Sequence, residues 1–301
     1  MANDPILFSR SDLLDAWRIP DQDFARAYAF VSDVHRSWIK KNIAQLYALY
    51  PPAGIDHAVT RTSRSSGFSS ITLSRPRPWA CLLLPETPSG PAQVLAALVP
   101  VMTSGIEHVL VLLRQSSGWP ALLLTGLELC GAETVCAVPA GQNPAILLQA
   151  LTAQASAGLV LVLDGAASAD LSTSPDLAQS AFWRPPSVNR IRIWCDASDQ
   201  WVWSTLIWNH PQTLLEAWGP ARNDAPDHVH QIPDSWEDFC KPGALALGVG
   251  SHLLHSPELP KSGLILTPGQ EGCWFWPDLH PEICIHAGMI LTDDRVRSSR
   301  W

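Results

Sequence analysis

The chain has 301 residues, 47% of them hydrophobic, enough to bury one large core or two smaller lobes. Twenty Lys and Arg stand against 28 Asp and Glu, a formal charge of −8, and the basic residues are scattered, which excludes a surface that tracks phosphates; no nucleic-acid partner is expected. Apolar runs such as Ala80 to Leu84 are far too short to span a membrane, and the first residues show no basic stretch followed by an apolar one, so a cytoplasmic protein is expected.

From Ser11 to Tyr50 the pattern is helical. Ser11 or Asp12 can cap, and Phe24, Ala27, Val31, Val34, Trp38, Ile39 and Ile43 recur at steps of three and four until Pro51 and Pro52 end the run. The stretch to Pro78 is rich in Ser, Arg and Thr and reads as a loop or hairpin with a short strand near Ile71 to Leu73.

From Trp79 onward strands and helices alternate. Strands are predicted at Ala80 to Leu84, Val109 to Leu113, Thr134 to Val138 and Leu159 to Leu163, with helices around Val94 to Met102, Leu122 to Leu129 (closed by Gly131) and Ile146 to Leu151. These strands are apolar throughout rather than alternating, which requires burial on both faces and therefore a parallel sheet covered by helices. A Ser, Ala and Pro rich stretch follows Asp164. A further strand at Ile191 to Cys195, a helix from about Gln200 to Trp218, a short helix near Trp236 and a strand at Ala244 to Val249 form a second lobe. The predicted fold class is α/β, with two lobes of doubly wound parallel sheet and an N-terminal helical segment. One lobe is discontinuous (1–78 with 187–301) and the other is a Rossmann-like unit (79–186). No internal repeat is visible.

Seven cysteines make an odd total with no C-x-x-C pair, and several lie in strand-like runs; they read as reduced packing residues. Most of the 14 tryptophans fall between Trp183 and Trp276, where indoles fill a core or an oligomer interface. Asp227 and His228 are adjacent in the run Ala225 to Val229. A carboxylate beside an imidazole can hold its tautomer or activate water, so this pair is the catalytic candidate. The loop Pro85 to Gly90 enters a helix whose first N–H groups could hold an anion such as a dinucleotide pyrophosphate.

Two stretches resemble histidinol dehydrogenase, of the aldehyde dehydrogenase-like folds. CLLLPETPSGPAQVLAALVPVMTSGIEHVLVL is similar to that family's G-L-Y-V-P-G-G segment with its following helix, and NDAPDHVHQI followed by PGALALG is similar to its N-x-x-A-P-E-H-L-E run followed by A-G-A-x-F-L-G. PAGQNPAILLQAL occupies the place of the family's G-G-A-Q-A segment. The resemblance implies that Asp227 stands for the water-activating glutamate and His228 for the general base. It also implies that Gln142, with Pro85 and Gly90, lies near NAD, that His210 is a zinc ligand, and that the protein is a homodimer. The chain departs from the pattern where Leu83, Glu86 and Thr87 replace the tyrosine and glycines, and where Ile207 and Ser256 or His255 fall at zinc-ligand positions.

The expected function is therefore a diverged relative that binds a small molecule in its cleft and has lost the zinc- and NAD-dependent reaction. The alternative is an active NAD-linked oxidoreductase acting on a small alcohol or aldehyde with His228 as base. A hydrolase built on Asp227 and His228 would need a nucleophile motif such as G-x-S-x-G, which the chain lacks.

Overall fold

A computed structural model describes residues 12–52, 57–63, 68–87, 90–114, 119–155, 157–163, 175–196, 200–220, 225–260 and 263–293. Ser11, the stretch 164–174 and Asn223 with Asp224 lie outside them. The N-terminal helical run is divided into α1 (Asp12–Trp17), α2 (Asp21–Phe30) and α3 (Asp33–Leu49). The breaks fall at Pro20, whose ring fixes an extended entry to α2, and at Val31 and Ser32, where the Ser32 hydroxyl accepts from the His35 N–H to start α3.

The first lobe contains β3 (Trp79–Leu84), β4 (His108–Arg114), β5 (Thr134–Val138), β6 (Leu159–Val162) and β7 (Ala181–Trp183), all parallel in the order β5-β4-β3-β6-β7. Its crossover helices are α4 (Pro91–Thr103), α5 (Ala121–Cys130) and α6 (Ala145–Gln154). Gly131 ends α5 at φ 82°, a conformation that favours glycine. Side chains alternate across β3: Ala80, Leu82 and Leu84 join the core built with α4 and α5, whereas Cys81 and Leu83 join the opposite core, with Leu147 and Leu148 of α6.

The N-terminal helices, expected with the second lobe, pack on this lobe through α1, α2 and one side of α3, while α3 also touches the second lobe. α1 places Leu14 and Trp17 in the core on the α6 face, and α2 and α3 cover α5 and α4 on the other. The cause lies in α4, which buries side chains all round its circumference; a helix with no polar face needs a second apolar layer outside it. The far side of α3 meets the segment 269–274, where Asn42 Oδ1 accepts from the Trp274 N–H at 3.1 Å, so α3 ties the two lobes together.

In the second lobe β8 (Arg190–Trp194), β9 (Leu214–Trp218), β10 (His230–Ile232), β11 (Ala246–Gly248) and β12 (Leu264–Leu266) form a parallel sheet in the order β10-β9-β8-β11-β12. Numbered within each lobe, both sheets run 3-2-1-4-5, a repetition of topology that the sequence does not display. The helix expected over 200–218 is α7 (Trp203–Asn209) followed by β9. Pro211 cannot continue the helix, and Leu214 to Trp218 extends on the neighbouring strand. A second short helix, α8 (Trp236–Phe239), caps the lobe. Arg192 and Glu216 face each other across β8 and β9, both buried, with the guanidinium also donating to Lys241 O at 2.7 Å. Most of the tryptophans fill this lobe: Trp201, Trp203, Trp218, Trp274 and Trp276 are all buried.

A third sheet is antiparallel: β1 (His57–Ser63), β2 (Phe68–Pro76) and β13 (Ile285–Asp293), with β13 paired along its whole length to β2. The strand expected at Ile71–Leu73 is thus the middle of a nine-residue arm. Among the described residues no helix is long and apolar enough to cross a membrane.

Candidate functional site

In open α/β sheets ligands lie beyond the strand C-termini at the point where the strand order reverses. In the first lobe that point falls between β3 and β6, and a cavity of about 270 Å³ is found there, lined by Gly90, Gln93, Val162 and Leu163. Its other wall comes from the second lobe, from Val188 and Asn189 before β8 and from His210 to Thr213 before β9. The cleft therefore joins the C-terminal edge of one sheet to the N-terminal edge of the other. Gln212 fastens it, donating from Nε2 to Thr87 O at 3.2 Å across the two lobes.

The floor of the cleft is a buried amide and imidazole cluster. His210, immediately after α7, is 2% exposed, and burial pushes its pKa down to about 3, so the ring is neutral at physiological pH. The Asn209 side-chain carbonyl oxygen accepts from the Ala92 N–H at 3.3 Å, which turns its NH2 toward His210 Nε2 at 3.2 Å. The Gln93 side-chain NH2 faces the other ring nitrogen, Nδ1, at 3.4 Å, so whichever nitrogen of the neutral ring carries the lone pair has an amide N–H in front of it to accept. Trp274 leans on the imidazole at a centroid distance of 5.1 Å, and the Trp276 indole donates to Gln93 O at 2.9 Å.

The sequence-derived residues fall in different places. Gly90 and His210 meet at the cleft, and Pro85 is half-buried at the C-terminal end of β3. Gln142 is exposed in the loop after β5 and does not line the cavity. Asp227 and His228 are exposed in a turn closed by the Val229 N–H to Pro226 O bond, ahead of β10 and outside the cavity lining. Sequence reasoning missed Gln93, Arg184, Asn189 and Gln212. Arg184 was the legible one: an arginine directly after a short apolar strand and directly before two prolines.

Zinc and NAD can be tested against these residues. A zinc ligand needs a free nitrogen lone pair and partners. The single lone pair of the neutral His210 ring faces an amide NH2, that of Asn209 at Nε2 or that of Gln93 at Nδ1, and among the described residues no group of three or more His, Cys, Asp or Glu side chains is placed to hold a metal ion. A pyrophosphate at α4 would need free N–H groups. Pro91 has none, the Ala92 N–H is bound to Asn209 and the Gln93 N–H donates to Gly90 O at 3.2 Å. A side chain at position 90 would put its Cβ 1.5 Å from Asn209 O, so protein backbone already fills the space in front of that helix. The residues at these two places do not fit either group. Cys240 and Cys273 are buried, and burial raises both thiol pKa values, that of Cys273 to about 11, so neither is a thiolate at neutral pH.

No family model matches the chain, and no curated protein matches it significantly in sequence. Its fold is similar to that of histidinol dehydrogenase from Elizabethkingia anophelis, at 12% identity and a TM-score of 0.58, covering 97% of this chain and 86% of that one. It is also similar to a point mutant of betaine aldehyde dehydrogenase from Staphylococcus aureus, at 10% identity and a TM-score of 0.50, covering 91% and 81%. At such identities the likeness is one of architecture: this chain has the aldehyde dehydrogenase-like α/β fold.

Proposed function

We propose that the chain is a small-molecule-binding protein on an aldehyde dehydrogenase-like scaffold, holding its ligand in the cleft between the lobes and carrying out no zinc- or NAD-dependent oxidation. The observation that carries this reading is the closed first turn of α4, where the amide and backbone carbonyl of Asn209 stand in front of the helix. The sealed imidazole of His210 supports it further, since a ring with its acceptor nitrogen already satisfied is structural rather than reactive. The second reading, an active NAD-linked oxidoreductase with His228 as base and Asp227 activating water, is favoured by one placement. Both residues precede the N-terminal end of β10, in the sheet whose strand N-termini border the cleft.

Calorimetric titration of the purified protein with NAD and with zinc separates the two. The expected result is no binding of either at millimolar concentration, for wild type and for His210→Ala and His228→Ala. Tight NAD binding together with one equivalent of zinc that is lost in His210→Ala would overturn the proposal and restore the oxidoreductase reading.

A further inference from the structure

Among the described residues that line the cleft cavity, Arg184 is the single charged side chain. The buried imidazole of His210 in the same lining is neutral, and none of those residues carries a carboxylate. In a chain of net charge −8 the described lining of the cleft thus carries the opposite sign, at the place where the topology opens a ligand site. Arg184 is exposed, and no hydrogen bond or ion pair ties its guanidinium to another described residue. It is the first residue beyond β7, and Pro185 and Pro186 follow it. A residue before proline is confined to extended conformations, so the backbone that carries the guanidinium is fixed before any ligand arrives.

We propose, resting on the reading of the cleft as a ligand site, that it receives a small monocarboxylate whose carboxyl group is taken by Arg184. A guanidinium presents parallel N–H donors that match the two oxygens of a carboxylate. A phosphate fits less well, because it would bring up to two charges against one arginine and would find the N–H groups at the start of α4 already committed. The rest of the ligand meets a mixed wall, with Val162, Leu163 and Trp276 on its apolar side and Asn189, Gln212 and Thr213 offering hydrogen bonds. At about 270 Å³ the cavity is at the lower edge of small-molecule sites, which run from roughly 300 to 1,000 Å³, so it suits a compact acid and not a dinucleotide.

The test is a titration followed by ¹⁵N NMR, reading the side-chain amides of Gln93 and Asn189 and the indole of Trp276. The probes are benzoate and hexanoate, their neutral amides benzamide and hexanamide, and inorganic phosphate, against wild type, Arg184→Gln and Arg184→Lys. At least one carboxylate is expected to shift these signals, with its amide and phosphate binding at least tenfold more weakly. Arg184→Gln should weaken the carboxylate about tenfold or more and Arg184→Lys by less, since one hydrogen-bonded charge pair contributes on that scale. Carboxylates and amides that bind alike, or an Arg184→Gln protein that binds the carboxylate as wild type does, would overturn the carboxylate assignment while leaving the cleft a binding site. Tighter binding of phosphate than of the acids would replace the ligand class. If no probe moves any of the three signals, the assignment and the binding-protein reading both fall.

Discussion

Among the described glycines, Gly90→Ala is expected to be the most damaging substitution. The φ and ψ of Gly90, −55° and 158°, are open to any residue, so conformational freedom is not the reason for glycine here. Space is the reason. The new Cβ would lie 1.5 Å from Asn209 O and 2.4 Å from its carbonyl carbon, and both are backbone atoms that cannot swing aside. To make room, α4 and the end of α7 must separate, which breaks the Ala92 N–H to Asn209 bond and loosens the amides around His210. Inserting a methyl into a packed core costs about 1–3 kcal/mol where side chains can adjust, and a backbone collision lies at or beyond the top of that range. Urea unfolding should therefore show a loss of about 3 kcal/mol or more, or no soluble protein at all. Gly288→Ala is the control: a Cβ there meets nothing within 4 Å, and stability should change by less than about 0.5 kcal/mol. A Gly90→Ala protein as stable as wild type would mean that the lobes do not meet at Asn209, and the start of α4 would again be open to an anion.

Gly90 also shows why the site was only partly legible in the sequence. A glycine between a buried strand and a helix is what an anion-binding turn and a close backbone crossing both require, and the residues that distinguish them, Asn209 and His210, lie more than a hundred positions away. The first sheet was legible because strands buried on both faces are apolar along their whole length, so Trp79 to Leu84 and Leu159 to Val162 stand out in one dimension. The second sheet was less so. Its strands β10, β11 and β12 have three residues each, and β9 carries Glu216 in the middle of an apolar run that abuts a helix, so its period was absorbed into that helix. In the antiparallel arm the pairing of β1 with β2 is local and lies where the sequence reads as a loop or hairpin, but β13 joins from more than two hundred positions away, as Ala287 does with Ser74, and nothing local announces that. Asp227 and His228 carried the strongest motif signal and yet sit in a solvated turn, because adjacency in sequence fixes neither burial nor a hydrogen bond between neighbours.

His210 supplies a test of the cleft that needs no ligand. Its folded pKa of about 3 lies below the ordinary histidine value of 6.5, so between these limits the unfolded chain binds a proton that the folded chain refuses. The sign follows directly: the group costs nothing above pH 6.5, and stability falls steadily as the pH drops from there toward 3. Each pH unit in that window is about 1.4 kcal/mol, so from pH 7.5 to 4.5 this one imidazole should remove about 3 kcal/mol. Carboxylates elsewhere also lower stability in acid, and a variant separates their share. His210→Gln keeps a hydrogen-bonding side chain in the cluster but cannot titrate, so its urea midpoint should fall less over the same interval, by the equivalent of about 3 kcal/mol. Equal falls in the two proteins would mean that His210 takes up a proton in the folded state as readily as in the unfolded one. An imidazole that accessible could also bind a metal or serve as a base, and the case for a sealed, non-redox cleft would then rest on Asn209 alone.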